Sequence, residues 1–325
     1  MIGVALAAAV AAQAQSLPRG QSLPQGPIDY AAEEMTMEPR DRRVLLDGKV
    51  RLSRADLLVT GDHAVADLAP EQKAQKSPLP QPGPQKRGKA KRTPEASRLG
   101  LGQGIQRFTL DGAVHVARGT RTADGAHGVL DSPAQTLLLT GTPEAPPILR
   151  DGSETLTGER VLIHLDSEDV EVTKPRLVLR RSLPEDGAKE SAKKPTPVRV
   201  EAQNLTLDHE KQLAHFTSDV VVHRGDAVVR SPRMDARYDK TGQLTKLELR
   251  GGVDLRQGDR RATGKSADYD ARTREVVLTG DPKLYDRGDV LQGERIDLAL
   301  DSKEVRVEKA HGRLRPENHQ DEVKE

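Results

Sequence analysis

The chain has 325 residues, of which 31% are charged and only 2% aromatic, with no cysteine and a formal net charge of +1 at pH 7. Absence of cysteine excludes disulfides, thiolate metal sites and cysteine nucleophiles. The balanced charge, with no aromatics set among basic residues, argues against a nucleic-acid partner, and so few aromatics suit a thin β-stack whose shallow core Val and Leu can fill.

Residues 1–14, MIGVALAAAVAAQA, read as a secretion signal: an apolar run followed by Ala12-Gln13-Ala14, a small-x-small cleavage site. The run is shorter than the ~20 apolar residues that cross a bilayer, so an exported, unanchored protein is expected. Residues 15–40, with Pro18, Pro24, Pro27 and Pro39, read as a linker. Over 41–68 a strand pattern begins, with Val44, Leu45, Leu46 and Val50, then Leu57, Leu58 and Val59. It is broken by 70–104, where six prolines mix with lysines and arginines; this reads as an extended basic insertion. The glycines 100, 102 and 104 at its end open no helix, so they mark a loop end and not a phosphate cradle.

Residues 41–180 are expected to be a first β-domain carrying that insertion, 181–197 a charged linker, 198–314 a second β-domain, and 315–325 a frayed tail. The division rests on a repeat. Gly112 and Val114 recur as Gly251 and Val253, and Leu139-Thr140-Gly141 as Leu278-Thr279-Gly280, at one offset. After a short insertion in the first copy, Gly158-Glu159-Arg160 recurs as Gly293-Glu294-Arg295 and Leu165-Asp166-Ser167 as Leu300-Asp301-Ser302. Ordered landmarks with one gap indicate duplication of a stacked unit. A shorter echo links Phe108, Thr109 and Asp111 to Phe216, Thr217 and Asp219. Within the units Ile296, Leu298 and Leu300 alternate with Asp297 and Ala299, the period of a strand with one buried face. Turn formers such as Arg287-Gly288-Asp289 punctuate the strands. No apolar stripe of helical period is present, so the chain is predicted to be all-β.

No catalytic constellation emerges. His209-Glu210 opens like a zinc-protease motif, but the next histidine, His215, is two residues too far for a zinc helix. In a strand the two rings would stand about 20 Å apart. Arg224-Gly225-Asp226 lies between valine strands and reads as a hairpin turn. Neither an enzyme nor a cofactor is expected. What remains is the apolar interior, which is either a sealed core or a trough for acyl chains. Its inward-phase residues are Val114, Val116, Leu137, Leu139, Ile163, Leu165, Val220, Val222, Val228, Leu247, Leu249, Val253, Leu255, Val276, Leu278, Ile296, Leu298 and Leu300.

The stretches FTSDVVVHRGDAVVRSPRMDARYD, LRGGVDLRQGDRRATGKSADYD and REVVLTGDPKLYDRGDVLQGERIDLALDS resemble the LptA/OstA-like family of periplasmic lipopolysaccharide-transport proteins. The resemblance is strongest over 198–314, good over 105–172 and faint over 44–68. It implies an elongated antiparallel β-jelly-roll, semi-open along one side, here in tandem copies. It also implies a periplasmic location, lipopolysaccharide held by its lipid A part in the groove, and head-to-tail self-association. The implied partners are LptC-like inner-membrane and LptD-like outer-membrane proteins. Ser218 departs from the pattern, standing where glycine is usual. Two other roles fit the same residues: a structural protein that binds partners by strand addition, and an LptC-like adaptor.

Overall fold

A computed structural model describes residues 29–69 except 55, 105–180, 197–299 except 241, and 304–313. The signal 1–14, the insertion 70–104, residues 181–196 of the linker, the tail 315–325 and Leu300 lie outside the described residues.

The described residues form strands and turns without helix. The first twelve strands are β1 (Asp29–Ala31), β2 (Glu34–Glu38), β3 (Arg43–Arg54), β4 (Leu57–Leu68), β5 (Ile105–Arg118), β6 (Arg121–Asp131), β7 (Thr136–Thr140), β8 (Ile148–Asp151), β9 (Glu154–Thr157), β10 (Arg160–His164), β11 (Val170–Thr173) and β12 (Arg176–Leu179). The remaining twelve are β13 (Val198–Glu201), β14 (Asn204–Asp208), β15 (Leu213–Arg224), β16 (Ala227–Tyr238), β17 (Leu244–Gln257), β18 (Arg260–Asp270), β19 (Glu275–Thr279), β20 (Lys283–Asp286), β21 (Asp289–Gln292), β22 (Arg295–Ala299), β23 (Val305–Glu308) and β24 (His311–Arg313).

The duplication is visible strand by strand. The strands β3 to β7 recur, each at the same length, as β15 to β19. The landmark glycines take matching places: Gly158 precedes β10 and Gly293 precedes β22. The first copy therefore starts at β1, inside the stretch 15–40 that reads as a linker. Those two strands escape the pattern because they are short and mostly exposed, β1 along its whole length. The Phe108–Phe216 echo is not an equivalence of position, since the counterpart of β5 is β17 and that of β15 is β3. It reflects a shared strand type, long and bulged.

Every pairing is antiparallel, and the long strands build two walls at once. Each bends at a mid-strand bulge, where the register shifts between Asp47 and Val50, Asp111 and Val114, Thr217 and Val220, and Arg250 and Val253. In β3, β5, β15 and β17 the bulge is formed by two successive residues of positive φ. They are Gly48 and Lys49, Gly112 and Ala113, Ser218 and Asp219, and Gly251 and Gly252. One half of each long strand joins wall one, which contains β2, β7, β10, β11, β14, β19, β22 and β23. The other half joins wall two, which contains β1, β8, β9, β12, β13, β20, β21 and β24. With strands spaced ~4.8 Å, the walls run on the order of 70 Å.

Among the described residues, the chain passes from wall to wall only along the side of the bulges. Between β9 and β10 the Glu159 amide donates to the Thr173 carbonyl (2.9 Å), and between β21 and β22 the Glu294 amide donates to the Glu308 carbonyl (3.0 Å). A lysine clamps each corner: Lys174 donates to Glu159, Lys309 to Glu294 and, in the first long strand, Lys49 to Glu33, all at 2.6 Å. All three lysines have positive φ. Along the opposite side, among the described residues, no backbone hydrogen bond joins the walls.

The two copies are continuous. Thr173 pairs with Asn204 and Val172 with Leu205 in wall one, and Leu177 pairs with Val200 in wall two. A single apolar cluster runs between the walls from Val44 to Leu298. Its fill is aliphatic, because the alternation of each strand turns Val and Leu inward; Phe216 and Phe108 supply the only phenylalanine rings.

Candidate functional site

Near the middle of the stack the interior is not filled. A cavity of about 280 Å³ lies between the walls, close to the lower end of the range of roughly 300–1,000 Å³ for small-molecule sites. Phe108, Leu137, Ile163, Leu205 and Leu207 line it from wall one, and Leu57, Val116, Leu149, Leu156 and Leu177 from wall two. These positions face each other because each comes from the inward phase of a strand, so the lining is apolar by construction.

The polar residues of the site gather where the strands end, on the side without backbone links. From wall two come Arg118, Arg121, Asp151 and Glu154; from wall one come His164, Glu168 and His209. Arg121 Nε donates to Asp151 Oδ2 at 3.0 Å. Across the gap, Arg121 Nη1 stands 3.9 Å from Glu168 Oε2. The turn between β10 and β11 holds Glu168 at φ 64°, and Oε2 is buried without a hydrogen-bond donor. Burial pushes the Glu168 carboxyl up, while His209, Arg121 and Arg118 pull it back. Beneath it, Tyr238 donates to the Asp208 carbonyl at 3.2 Å, and burial pushes its phenol up to about 12.

The expected groove residues separate into groups. Val116, Leu137, Ile163 and Leu165 line the cavity. Val114, Leu139, Val220, Val222, Leu247, Leu249, Val253, Leu255, Val276, Leu278, Ile296 and Leu298 are buried between the walls without lining it. Val228 faces the other way. The two-residue turn at Gly225 and Asp226 pairs Val222 with Val229 and His223 with Val228, so Val229 and Ala227 point inward. The Arg224–Asp226 tripeptide is the hairpin turn expected of it. Residues not foreseen are Leu57, Phe108, Leu149, Leu156, Leu177 and the charged rim. The alternation of Leu57 and Val59 was a usable signal for the first of these; the rim had none, because turn charges look alike in sequence.

Several histidines pair across strands with carboxylates. His63 meets Asp47 at 2.7 Å, His127 meets Asp111 and His115 meets Asp124 at 2.6 Å, and His215 meets Asp235. The hydrogen bond that His63 donates to Asp47 holds the imidazole above its usual range. Among the described residues no group of His, Asp and Glu is arranged to hold a metal ion.

Residues 199–304 match the family model described as "LptA/(LptD N-terminal domain) LPS transport protein". No curated protein matches the chain. Among solved structures, the chain is similar to LptH, described as the LptA homologous periplasmic component of the conserved lipopolysaccharide transport device from Pseudomonas aeruginosa. The identity is 21%, the match covers 37% of this chain and 96% of that one, and the TM-score is 0.34. Over residues 199–304, the chain is thus similar in sequence to the family described as LptA/LptD N-terminal domain.

Proposed function

We propose that the protein is a periplasmic, non-enzymatic carrier that holds the acyl chains of lipopolysaccharide between its two walls during export. The observation that carries this reading is the apolar cavity, which lies behind the side where, among the described residues, no backbone hydrogen bond joins the walls. An amphiphile entering from that side would bury its chains among Leu and Val and leave its head among charged residues, at a gain of about 0.8 kcal/mol per buried methylene. Transfer along a continuous stack needs no chemistry, only neighbouring apolar surface.

The test is a photo-crosslinking residue at Ile163, on the cavity, with the same residue at Val228, on the outer face, as control. The expected result is capture of lipopolysaccharide at Ile163 and none at Val228. A folded protein that captures nothing at Ile163 overturns the reading.

The same proposal includes assembly with a second copy, head to tail. The junction between copies within the chain supplies a template. There Val170 pairs with Leu207, Val172 with Leu205, and Val178 with Arg199. Carried to the free ends, the same register sets Val305 against Met37, Val307 against Met35, and Arg313 against Asp29 of a second molecule. The large hydrophobics exposed on the described surface are Tyr30, Met35 and Val305, all on these end strands. Unpaired edge strands are competent for such addition, toward another copy or toward LptC-like and LptD-like partners of the same fold.

A further inference from the structure

The mouth of the cavity is where the two walls come within reach of each other by side chains. Glu168 projects from a turn of wall one, and Arg121 sits at the start of β6 in wall two. Their closest atoms are 3.9 Å apart, too far for a hydrogen bond and close enough for a direct ion pair. Arg118, at the end of β5, donates instead to Asp56 at 3.0 Å, and its charge reaches Glu168 only from a distance. Arg121 is already held by Asp151 on its own wall. The arginine is thus fixed in place by its own wall, and its contact with Glu168 across the mouth is longer than that with Asp151. Glu168 Oε2 meanwhile accepts no hydrogen bond. A buried carboxylate oxygen left in that state is costly, and it persists here because an arginine faces it.

We infer that the Arg121–Glu168 contact is a displaceable clasp over the trough: an anionic head group takes the place of Glu168 on Arg121, and Glu168 swings out as the mouth opens. This rests on the carrier reading, whose site it regulates. The ligand class follows from the chemistry. An arginine held at Nε by Asp151 has its Nη1 facing Glu168, and a guanidinium nitrogen so placed suits a phosphate or carboxylate head on an acyl tail. Glu168 stands where that head group would sit. While it stays there, the clasp keeps the apolar lining from water and slows sideways loss of the chains.

The experiment uses the full chain and two fluorescent probes, cis-parinaric acid, which carries a carboxylate head, and its neutral methyl ester. Association rates and affinities are measured for the wild type, Glu168→Gln and Arg121→Gln, with thermal unfolding as the check on folding. Arg121→Met stands in should Arg121→Gln fail to fold. Both clasp variants are expected to speed the entry of both probes by about two- to fivefold, the worth of a partly exposed ion pair. Their preferences should then diverge. Glu168→Gln raises the preference for the acid over the ester, because the competitor is gone; Arg121→Gln abolishes it. Unchanged entry rates together with an unchanged acid-to-ester ratio would overturn the clasp while leaving the carrier standing. Binding of neither probe by any folded form would remove the carrier reading itself.

Discussion

Gly158 lies against Thr173 so closely that a β-carbon on it would stand 2.7 Å from the Thr173 carbonyl oxygen. Gly293 stands in the same relation to Glu308, with Val307 Cγ1 2.6 Å away. The glycine of the repeated Gly-Glu-Arg triplet is therefore the place where the chain turns from one wall into the other, under the backbone of the next strand.

Alanine at Gly158 should cost about 2–3 kcal/mol, the upper part of the usual range for overpacking, because the obstacle includes backbone and cannot rotate away. Gly152 is the contrast. It has φ 56°, and a β-carbon on it would meet nothing within 4 Å, so Gly152→Ala should cost only the left-handed conformation, about 1 kcal/mol. Urea midpoints of the two variants decide it; equal losses would mean that the corner is not tight.

Ser218 occupies the bulge position that Gly48 holds in the first copy, at φ 63° where Gly48 has 76°. A left-handed non-glycine residue costs about 1–2 kcal/mol, and glycine gives back about 0.5–1 through the unfolded chain. Ser218→Gly should therefore stabilise by about 0.5 kcal/mol, seen as a rise in the urea midpoint. A loss would mean that the serine hydroxyl carries a contact that offsets the strain.

Glu248 in β17 is ringed by Lys246 at 2.6 Å, Arg250 at 3.5 Å and Arg237 at 3.6 Å. The Lys246 hydrogen bond, helped by the arginines, holds its carboxyl below the usual glutamate range. A carboxyl with a lowered folded-state pKa binds fewer protons folded than unfolded, so its contribution is full above about pH 4.3 and fades as acid protonates it. Glu248→Gln should cost about 1 kcal/mol at pH 7, and the gap to wild type should close by about pH 3. Unfolding curves at the two pH values test this, and a gap that persists in acid would refute the ionic origin.

The end-strand register makes a charge-reversal test possible. Arg313→Asp should abolish head-to-tail oligomers, as should Val305→Asp. Asp29→Arg combined with Arg313→Asp should restore them, because opposite charges again meet directly across strands. Sedimentation over a concentration series is the measurement. Oligomers indifferent to all of these substitutions would place the contact elsewhere.

The amino-acid sequence by itself determined whatever depends on neighbours along the chain. The alternation at Ile296 and Leu298 made strands, and the matching landmarks, Gly158 and Gly293 among them, revealed two copies. Only the tertiary structure decided what depends on which strand lies beside which. A two-residue turn set Val229 inward and Val228 outward, and the register of β3 against β4 brought His63 to Asp47. The stacking of copies left a cavity beside Ile163 and set Glu168 opposite Arg121. Local pattern records which side of a strand is apolar. Register, turn length and the facing wall fix where that side points and what it meets.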